Sequence, residues 1–540
     1  MVIGDRDELR TKIDEEVAAL SEHIRCLHTT RNTLAPVSSL PPEVLSRIFL
    51  LVRDSSANHG PSSRKYLEWL SITQICQLWR QIAIGCAALW TKIPPRNEKC
   101  LQLFLTRSRT CPLSLSIDIT EYNLPFARLA MQSLPRIQGV HLHCFRSGNW
   151  NKIVPFLCYP APELKELSVS CSDRDRPGVL SWPQDFLRDA PLRELTLSGF
   201  LFPDYQPAFH GLTLFCLTTI PCRTPTAILL GALAQMPNLR SLTVEDPNTS
   251  RVGTGDDREI SDDLSKSLPI ILPHLEDITI HSPGEFEHVL QLFNALQFPK
   301  SPTLKIQCGF DEWEDISDSF PQLCQTLQET YQNGMTPFYT LTIGADATGF
   351  KLIACDAQMH FSCVLDIHCR DESLDDYLDH WVDACLDLPV TGLESVDLYG
   401  SGCPKFFSTG RYRRWTQLRH VKVEDERGFD FIEVLLTDLE RHCKLRTDLG
   451  DEDEVAYAET CCDGKSWNDS ALPALEVITL HRSGYGDFYH NYCIQALIAR
   501  KRHGYGPKKI IFSKCSGVTA KKVKDLQNII EVEWDSYQDS

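Results

Sequence analysis

The chain has 540 residues, of which 42% are hydrophobic and 23% are charged, as is typical of a globular protein with room for more than one domain. Its formal net charge of -18 argues against nonspecific binding to nucleic acid or to an anionic membrane surface. The sequence contains no apolar run long enough to span a bilayer, and its charged first residues lack the apolar centre of a secretion signal. We therefore expect a protein of the cytoplasm or nucleus, whose 22 cysteines are reduced and mostly buried.

Residues 1–36 are predicted to form an N-terminal amphipathic segment, with one helix over residues 5–34. Its apolar residues are spaced by four, four, three, four, three and seven, close to the heptad repeat of a coiled coil. These seam residues are Leu9, Ile13, Val17, Leu20, Ile24, Leu27 and Leu34. Such a helix pairs with a partner, pairs with a second copy of itself or folds back on its own domain, and the sequence leaves these outcomes open.

Residues 37–94 are predicted to contain three short helices. The first begins at Pro41 and Pro42, at positions where an amide hydrogen has no acceptor within the helix, and Glu43 in its first turn suits the helix dipole. Its apolar face consists of Val44, Leu45, Ile48, Phe49 and Val52, which recur at helical spacing.

The second helix of this segment is predicted to begin at Ser71, which with Gln74 has the spacing of a capping box. Its apolar stripe consists of Ile72, Ile75, Cys76, Trp79, Ile82 and Ala83. A third helix is predicted within residues 87–93. Together with Trp79 and Trp90, these helices carry more apolar surface than so small a core needs, which indicates docking on another protein or contact with the domain that follows.

Four pieces of this segment occur in the order Leu40-Pro41-Pro42-Glu43-Val44-Leu45, Ile48-Phe49, Cys76-Gln77-Leu78-Trp79-Arg80-Gln81-Ile82-Ala83 and Leu89-Trp90. They resemble the F-box-like motif of large fungal protein families, over roughly residues 37–93. The resemblance implies a three-helix module that binds the Skp-type adaptor of an SCF (cullin-RING) ubiquitin ligase. The adaptor-binding residues that it implies are Leu40, Pro41, Pro42, Glu43, Val44, Leu45, Ile48, Phe49, Cys76, Trp79, Ile82, Leu89 and Trp90. The stretch from Arg53 to Glu68 departs from the family pattern and is predicted to be a polar loop.

One apolar string recurs in residues 95–540: a leucine, an apolar residue three positions later and another two positions after that. Its seven copies begin at Leu164, Leu192, Leu239, Leu275, Leu393, Leu418 and Leu475, and the prolines predicted to share one place before them are Pro162, Pro191, Pro237, Pro273 and Pro473. Two neighbouring pairs of leading leucines are 28 (192 minus 164) and 25 (418 minus 393) residues apart, within the range of leucine-rich repeats. Helices are predicted at residues 226–235, 286–296, 324–333, 374–386 and 431–443.

This pattern resembles a degenerate leucine-rich-repeat solenoid without the asparagine ladder of regular repeats. The resemblance implies an α/β horseshoe with a parallel sheet, in which stacked neighbours bury one another's apolar faces. An unrelated α/β domain with coincidental strings is the alternative. Because side chains alternate along a strand, the residues between the last two apolar positions should point outward and bind a target protein. These residues are Ser168, Thr196, Thr243, Thr279, Asp397, Lys422 and Thr479.

No motif in the sequence predicts catalysis, a metal or a bound cofactor. His141 and His143 would share one face of a strand while Cys144 points away, and no second ligand pair has zinc-like spacing. The acidic residues between Asp371 and Asp383 alternate with apolar ones, as on the exposed face of an amphipathic helix. Glycine-rich phosphate-binding motifs and nucleophile elbows are absent. The basic residues between Arg500 and Lys524 are predicted to be a solvated helix face in preference to a nuclear-import signal.

The sequence therefore predicts a non-catalytic substrate receptor of an SCF-type ubiquitin ligase. Its F-box-like module would bind a Skp-type adaptor and through it a cullin, while the repeat domain would bind an unidentified target protein. Two other hypotheses stay open. In one, the module binds the adaptor without a cullin, so that the protein is a scaffold with no ubiquitin output. In the other, the protein is an enzyme with a dispersed active site, which the absence of catalytic motifs argues against.

Overall fold

The computed structural model describes residues 4–57, 63–94, 97–171, 190–199, 209–218, 226–245, 269–282, 286–297, 302–310, 319–332, 338–346, 349–356, 361–369, 388, 392–400, 415–424, 472–502 and 504–537. The chain divides into two units, residues 1–211 and 212–540. Each unit contains a sheet that is wholly or mostly parallel, and the first also contains the N-terminal helices. The predicted helices at 374–386 and 431–443, and the acidic residues between Asp371 and Asp383, lie outside the described residues.

The described helices are α1 (Gly4–Thr33), α2 (Pro42–Ala57), α3 (Ile72–Ile75), α4 (Gln77–Gly85), α5 (Glu98–Arg107), α6 (Leu124–Met131), α7 (Ser147–Ile153), α8 (Thr226–Leu233), α9 (Phe286–Ala295), α10 (Ser319–Gln332), α11 (Asp487–Arg502) and α12 (Ala520–Gln527). Short 3₁₀ segments cover Pro36–Ser39, Arg64–Ser71, Ala87–Trp90, Leu134–Arg136 and Val154–Cys158. The predicted helices at 226–235, 286–296 and 324–333 are confirmed as α8, α9 and α10. No helix in these parts of the chain is both long enough and apolar enough to cross a bilayer.

The described strands are β1 (Lys92–Ile93), β2 (Leu113–Ile119), β3 (Ile137–Cys144), β4 (Glu166–Cys171), β5 (Glu194–Ser198), β6 (Leu214–Thr218), β7 (Ser241–Glu245), β8 (Ile270–Ile271), β9 (Asp277–Ser282), β10 (Leu296–Gln297), β11 (Thr303–Phe310), β12 (Thr340–Asp346), β13 (Gly349–Cys355), β14 (Phe361–Cys369), β15 (Ser395–Gly400), β16 (His420–Glu424), β17 (Val477–His481), β18 (Lys509–Ser513) and β19 (Glu531–Trp534). In the first unit, β1 to β5 pair in chain order and in parallel.

The second unit contains a sheet of twelve strands, ordered β6-β7-β9-β11-β14-β13-β12-β15-β16-β17-β18-β19, and a separate parallel pair of β8 and β10. Its pairings are parallel except those of β13, which is antiparallel to both β12 and β14. The prediction of a mixed α/β fold with a large, mostly parallel sheet is confirmed. The reversed order β14-β13-β12 was not predicted, and a leucine-rich-repeat solenoid stays a prediction.

The N-terminal helix is confirmed as α1, which is continuous from Gly4 to Thr33. Every residue from Arg6 to Arg31 is exposed. The seam residues within α1 are 51–60% exposed, and Leu34, just beyond the helix, is 80% exposed. No described part of the chain therefore covers the seam.

The prediction of a loop from Arg53 to Glu68 is wrong for its first residues, because α2 continues to Ala57. Arg53 is buried, and its guanidinium donates hydrogen bonds to the carbonyl oxygen of Ala88 and, at 3.3 Å, to Thr91 Oγ1. The 3₁₀ segment from Arg64 to Ser71 also contributes buried aromatic side chains. A buried guanidinium is tolerated here because neighbouring oxygen atoms accept its hydrogen bonds.

The predicted second helix of the module is divided into α3 and α4 at Cys76, whose backbone is extended. Cys76 Sγ accepts a hydrogen bond from the Trp79 amide at 3.4 Å and so caps α4. The Ser71 side chain makes no capping hydrogen bond, so the capping box predicted for Ser71 and Gln74 is wrong. Cysteine is not among the usual N-cap residues, so no capping signal predicted this break.

The seven apolar strings share one local structure. Each leading leucine is at most 6% exposed and precedes a strand that contains the next two apolar positions. The strings are also in register: Leu167 pairs with Leu195 in the first unit, and Val421 pairs with Ile478 in the second. The buried side chains of neighbouring strands therefore form continuous apolar rows.

Prolines shape the turns before four of these strings. Pro162 follows Ala161, whose carbonyl oxygen accepts the Leu164 amide hydrogen at 3.1 Å, so the proline is the second residue of a closed turn. Corresponding hydrogen bonds close the turns around Pro237, Pro273 and Pro473. Pro191 directly precedes Leu192, so the prediction that it shares this place is wrong.

Main-chain hydrogen bonds also connect successive turns. The Arg193 amide donates to the carbonyl oxygen of Lys165, and the Glu476 amide donates to that of Arg419, both at 2.8 Å. Each of these residues directly follows a leading leucine. Neighbouring strings are thus linked through the backbone, without an asparagine side-chain ladder.

The basic stretch from Arg500 to Lys524 is only partly solvated, so that prediction is wrong for two of its residues. Arg500 is 1% exposed and donates a hydrogen bond from Nη2 to the Leu472 carbonyl oxygen at 3.0 Å. Lys522 is 8% exposed and donates from Nζ to the Tyr485 carbonyl oxygen at 2.9 Å. Both cations therefore hold distant segments of the second unit together.

Candidate functional site

An apolar surface runs along one side of α2. Its four side chains are 39–63% exposed and lie at spacings of four, three and one residues, which place them on one stripe of the helix. They are Val44, Ile48, Leu51 and Val52, and we call this surface the α2 apolar face. Its last three members, with Ser55 and Ser56, line a shallow open depression of about 320 Å³.

The adjacent side of α2 forms the core of the helical module. Leu45 and Phe49 are completely buried, and the Phe49 ring lies 5.1 Å from the ring of Trp79, which is half-buried. Because the two sides of α2 are so different in exposure, the α2 apolar face is not needed to complete this core.

An aromatic cluster around Trp90 fixes the end of the module. Trp90 and Leu89 are completely buried, and Trp90 Nε1 donates a hydrogen bond to the Ala83 carbonyl oxygen at 2.9 Å. The Trp90 ring lies 5.2 Å from the ring of Trp69 and 5.1 Å from that of Phe104. Such edge-on aromatic pairs stabilise a core beyond the area that they bury.

The structure thus separates the predicted adaptor-binding residues into three groups. Those in the core are Leu45, Phe49, Leu89 and Trp90. Those that are half-buried are Leu40, Cys76, Trp79 and Ile82. Those that are exposed are Pro41, Pro42, Glu43, Val44 and Ile48. A protein that docks on this module without rearranging it would touch the last group and parts of the second.

A charged network holds the end of α2 in place. Asp54 forms ion pairs with Arg53 and with Lys92, each at 2.9 Å. Burial by itself would raise the pKa of Asp54, but the hydrogen bonds from Lys92 and Arg53 bring this pKa below its usual value. The network orients α2 relative to β1, which pairs with β2 of the first sheet.

Three of the exposed apolar residues of the module are absent from the predicted adaptor-binding set. Leu51, Ile75 and Ile84 are 63%, 57% and 39% exposed. Leu51 could have been found, because it lies three residues after Ile48 and seven after Val44, at the spacing of one helical stripe. Ile75 was placed in the apolar stripe of the predicted second helix, which the break at residue 76 interrupts.

A second candidate surface is the open face of each sheet. The seven predicted target-binding residues are all half-buried, and paired residues of neighbouring strands point to the same side. In the first unit the structure pairs Ser168 with Thr196; in the second it pairs Thr243 with Thr279 and forms the row Asp397, Lys422 and Thr479. Burial raises the pKa of Asp397, and the neighbouring Lys422 ammonium opposes this shift.

Two residues further along the same strands lies a second outward row, which was not predicted. It aligns Tyr399, Glu424 and His481. The Glu424 carboxylate lies 3.2 Å from Arg482 Nη1 and 3.7 Å from His481 Nε2. The alternation of side chains along a strand would have identified this row, had it been followed past the last apolar position.

The Tyr399 ring lies across Gly344 on the neighbouring strand β12. A Cβ atom added at Gly344 would come within 1.7 Å of Tyr399 Cζ. Glycine is therefore required at position 344 for the ring to lie flat on this face.

The described residues contain no group of three or more His, Cys, Asp and Glu side chains arranged to hold a metal ion. His143 Nδ1 instead lies 2.6 Å from Ser170 Oγ on the next strand. The side chains of fifteen cysteines are described; none of these is in a disulfide, eight are buried, and burial raises the pKa of Cys144 and Cys308 to about 12. A thiol that is protonated at neutral pH is a poor nucleophile and a poor metal ligand.

The surfaces described above are the basis for any assignment of function. No family model matches this chain, and no curated protein does. The F-box-like and repeat resemblances therefore rest on the residues themselves, and the accessible apolar and polar surfaces indicate what the chain can bind.

Proposed function

We propose that this protein is a substrate receptor of an SCF-type ubiquitin ligase and acts in the cytoplasm or nucleus. The α2 apolar face binds a Skp-type adaptor, and through it a cullin. The open face of a sheet binds the target protein. The chain itself performs no chemistry in this proposal, since ubiquitin transfer belongs to other subunits of the ligase.

The observation that carries the proposal is an apolar face displayed on a module whose own core is complete without it. Leu45, Phe49 and Trp90 fill that core, while Leu51 on the neighbouring stripe is 63% exposed. Burying such side chains against a partner is favourable, and a few well-packed apolar residues usually dominate the energy of an interface. The network of Arg53, Asp54 and Lys92 keeps α2 in one orientation, which lowers the entropy lost on binding.

The proposed target surface is supported by its composition. The rows of Asp397, Lys422, Thr479 and of Tyr399, Glu424, His481 combine hydroxyl, carboxylate, ammonium, phenol and imidazole groups. A mixed polar surface on a rigid sheet suits a protein ligand with complementary hydrogen-bonding groups. The scaffold alternative uses the same two surfaces and differs only in whether a cullin joins the complex.

The experiment that tests this proposal is co-expression of the full chain with a Skp-type adaptor and its cullin, followed by size-exclusion chromatography. We expect one stoichiometric complex of all three proteins. The test variant is Ile48→Asp with Leu51→Asp, which places two carboxylates on the α2 apolar face. The matched control is Ile48→Leu with Leu51→Met, which changes the same positions but keeps them apolar.

The proposal predicts that the carboxylate variant loses the adaptor while the control keeps it, and that both have the circular dichroism spectrum of the wild type. A complex with the adaptor alone would favour the scaffold alternative. If the wild type is folded but binds no adaptor, or if the carboxylate variant binds as well as the control, the proposed function is wrong.

A further inference from the structure

The seam of α1 is an apolar stripe that no described part of the chain covers. Its six members within the helix are between 51% and 60% exposed. They are Leu9, Ile13, Val17, Leu20, Ile24 and Leu27. The ion pairs along α1, Lys12 with Glu8 at 2.9 Å and Arg25 with Glu22 at 3.0 Å, stabilise the helix from positions outside this seam.

The residue types along the seam specify how it would pack. In heptad notation, Val17 and Ile24 occupy positions a, and the positions d are Ile13, Leu20 and Leu27. Two of the three d residues are leucine, and side chains branched at Cβ in position a with leucine in position d favour two strands in parallel coiled coils. Arginine residues stand at the outer a positions, 10 and 31, where they limit the apolar core to the central heptads.

We propose that α1 forms a parallel two-stranded coiled coil with α1 of a second copy of this chain. The inference does not depend on the proposed adaptor or on any target protein. Its consequence is a dimeric protein that carries two copies of every binding surface in one particle.

The area available is sufficient for a specific dimer. Burying one side chain of the size of leucine removes on the order of 100 Å² from water. Ten core side chains, five from each α1, and the two Leu9 side chains that flank them at position g would together bury roughly 1,200 Å², which is the lower end of the range for specific interfaces.

The flanking positions are compatible with this pairing. In a parallel dimer Glu16 would lie next to Ser21 of the second copy, and His23 would lie next to His28. These flanking pairs do not set two carboxylates, or two lysine or arginine cations, against each other. Charge therefore does not oppose self-pairing at neutral pH.

The test measures the mass of the full chain by size-exclusion chromatography with light scattering, without adaptor or cullin. The wild type should have twice the 61.3 kDa of one chain. Val17→Glu with Leu20→Glu puts two carboxylates into the seam and should give the mass of one chain. The matched control, Ala18→Glu with Ala19→Glu, adds the same charge to the same turn outside the seam and should remain dimeric.

Circular dichroism of all three proteins shows whether α1 and the sheets remain folded. A wild type that is monomeric at micromolar concentration would overturn the proposal. So would a folded seam variant that remains dimeric. Because neither result involves the adaptor, failure of this inference is distinguishable from failure of the proposed function.

A cysteine pair tests the direction of the two helices. In a parallel dimer Arg10→Cys, made in a Cys26→Ser background, brings two thiols together at the same a position. In an antiparallel dimer that pairs the whole seam, residue 10 would face residue 27, which is 17 positions away (27 minus 10), or about 25 Å along the helix. Oxidation should yield a disulfide-linked dimer for Arg10→Cys and none for the outward-facing control, Lys12→Cys. A seam-dependent dimer that is not cross-linked through residue 10 would overturn the parallel arrangement.

Discussion

Substituting Leu51 by alanine separates binding from folding in the helical module. Leu51 is 63% exposed, so the truncation removes side-chain atoms that the folded chain leaves largely in water. Burying a whole leucine side chain is worth about 1.5–3 kcal/mol, and the exposed part of this one is therefore worth about 1–2 kcal/mol on binding. That energy corresponds to an adaptor dissociation constant about 5 to 30 times larger.

Trp90→Phe is the complementary substitution. Trp90 is completely buried, and the change removes its hydrogen bond to the Ala83 carbonyl oxygen. Leaving a buried acceptor without this partner costs about 1–3 kcal/mol of stability. The folded fraction of this variant should nevertheless bind the adaptor with wild-type affinity, because residue 90 is not accessible to a partner.

The assay is isothermal titration of the full chain with a purified Skp-type adaptor, combined with hydrogen exchange of α2 and α4 as a measure of local stability. Leu51→Ala should weaken binding without faster exchange, and Trp90→Phe should accelerate exchange without weaker binding per folded molecule. The reasoning is refuted if Leu51→Ala leaves the dissociation constant unchanged, or if Trp90→Phe weakens it at equal folded fraction.

Two further predictions concern the second unit. Gly344→Ala should destabilise the protein by about 1–3 kcal/mol, because the added Cβ would meet the Tyr399 ring. In a Tyr399→Ala background this destabilisation, measured by urea denaturation, should be smaller. Equal destabilisation in both backgrounds would contradict the prediction. Burial lowers the pKa of His490 below its ordinary value near 6.5, against the opposing hydrogen bond and charge of Asp525. The folded state then binds fewer protons than the unfolded state, so stability is lost as the pH falls from 6.5 through the lowered pKa. The loss of stability between neutral pH and about pH 5 should be smaller in His490→Gln than in the wild type. An identical loss of stability in both proteins would contradict this prediction.

The strands of this fold were predictable because two signals coincide in each apolar string. A leading leucine that is buried before the strand and a period of two within it identify β4, β5, β7, β9 and β15 to β17. Strand β13 carries only the second signal, since its buried residues Phe350, Leu352 and Ala354 follow no leading leucine. Its antiparallel direction depends on the short connection to β12, and the apolar strings do not predict that connection.

The candidate site was predictable only in part, for reasons of tertiary packing. Helical spacing identifies a broad apolar face on α2, but which half of it faces the module depends on where Trp79 and Trp90 lie. Arg53 stands at the start of a polar stretch and was assigned to a loop, yet it is buried, and Ala88, 35 positions later, supplies a carbonyl oxygen that accepts its hydrogen bond. Long-range partners of this kind decide burial, and local sequence does not contain them.

The reversed order β14-β13-β12 has a consequence for how the second sheet assembles during synthesis. A stack that follows chain order can add each strand as soon as it leaves the ribosome. Here β12 emerges after β11 but cannot pair with it, because β14 occupies that place in the finished sheet. We therefore expect β12 and β13 to take their places in the sheet only once β14 has been made.

The three strands therefore behave as one unit of insertion, unlike the neighbouring single strands. A shortened chain that ends after β12 would leave an apolar strand free beside the open edge of β11, where it could pair wrongly. Boundaries that keep the sheet intact lie before β12 or after β14, and a protein cut at any point between them is expected to aggregate when expressed.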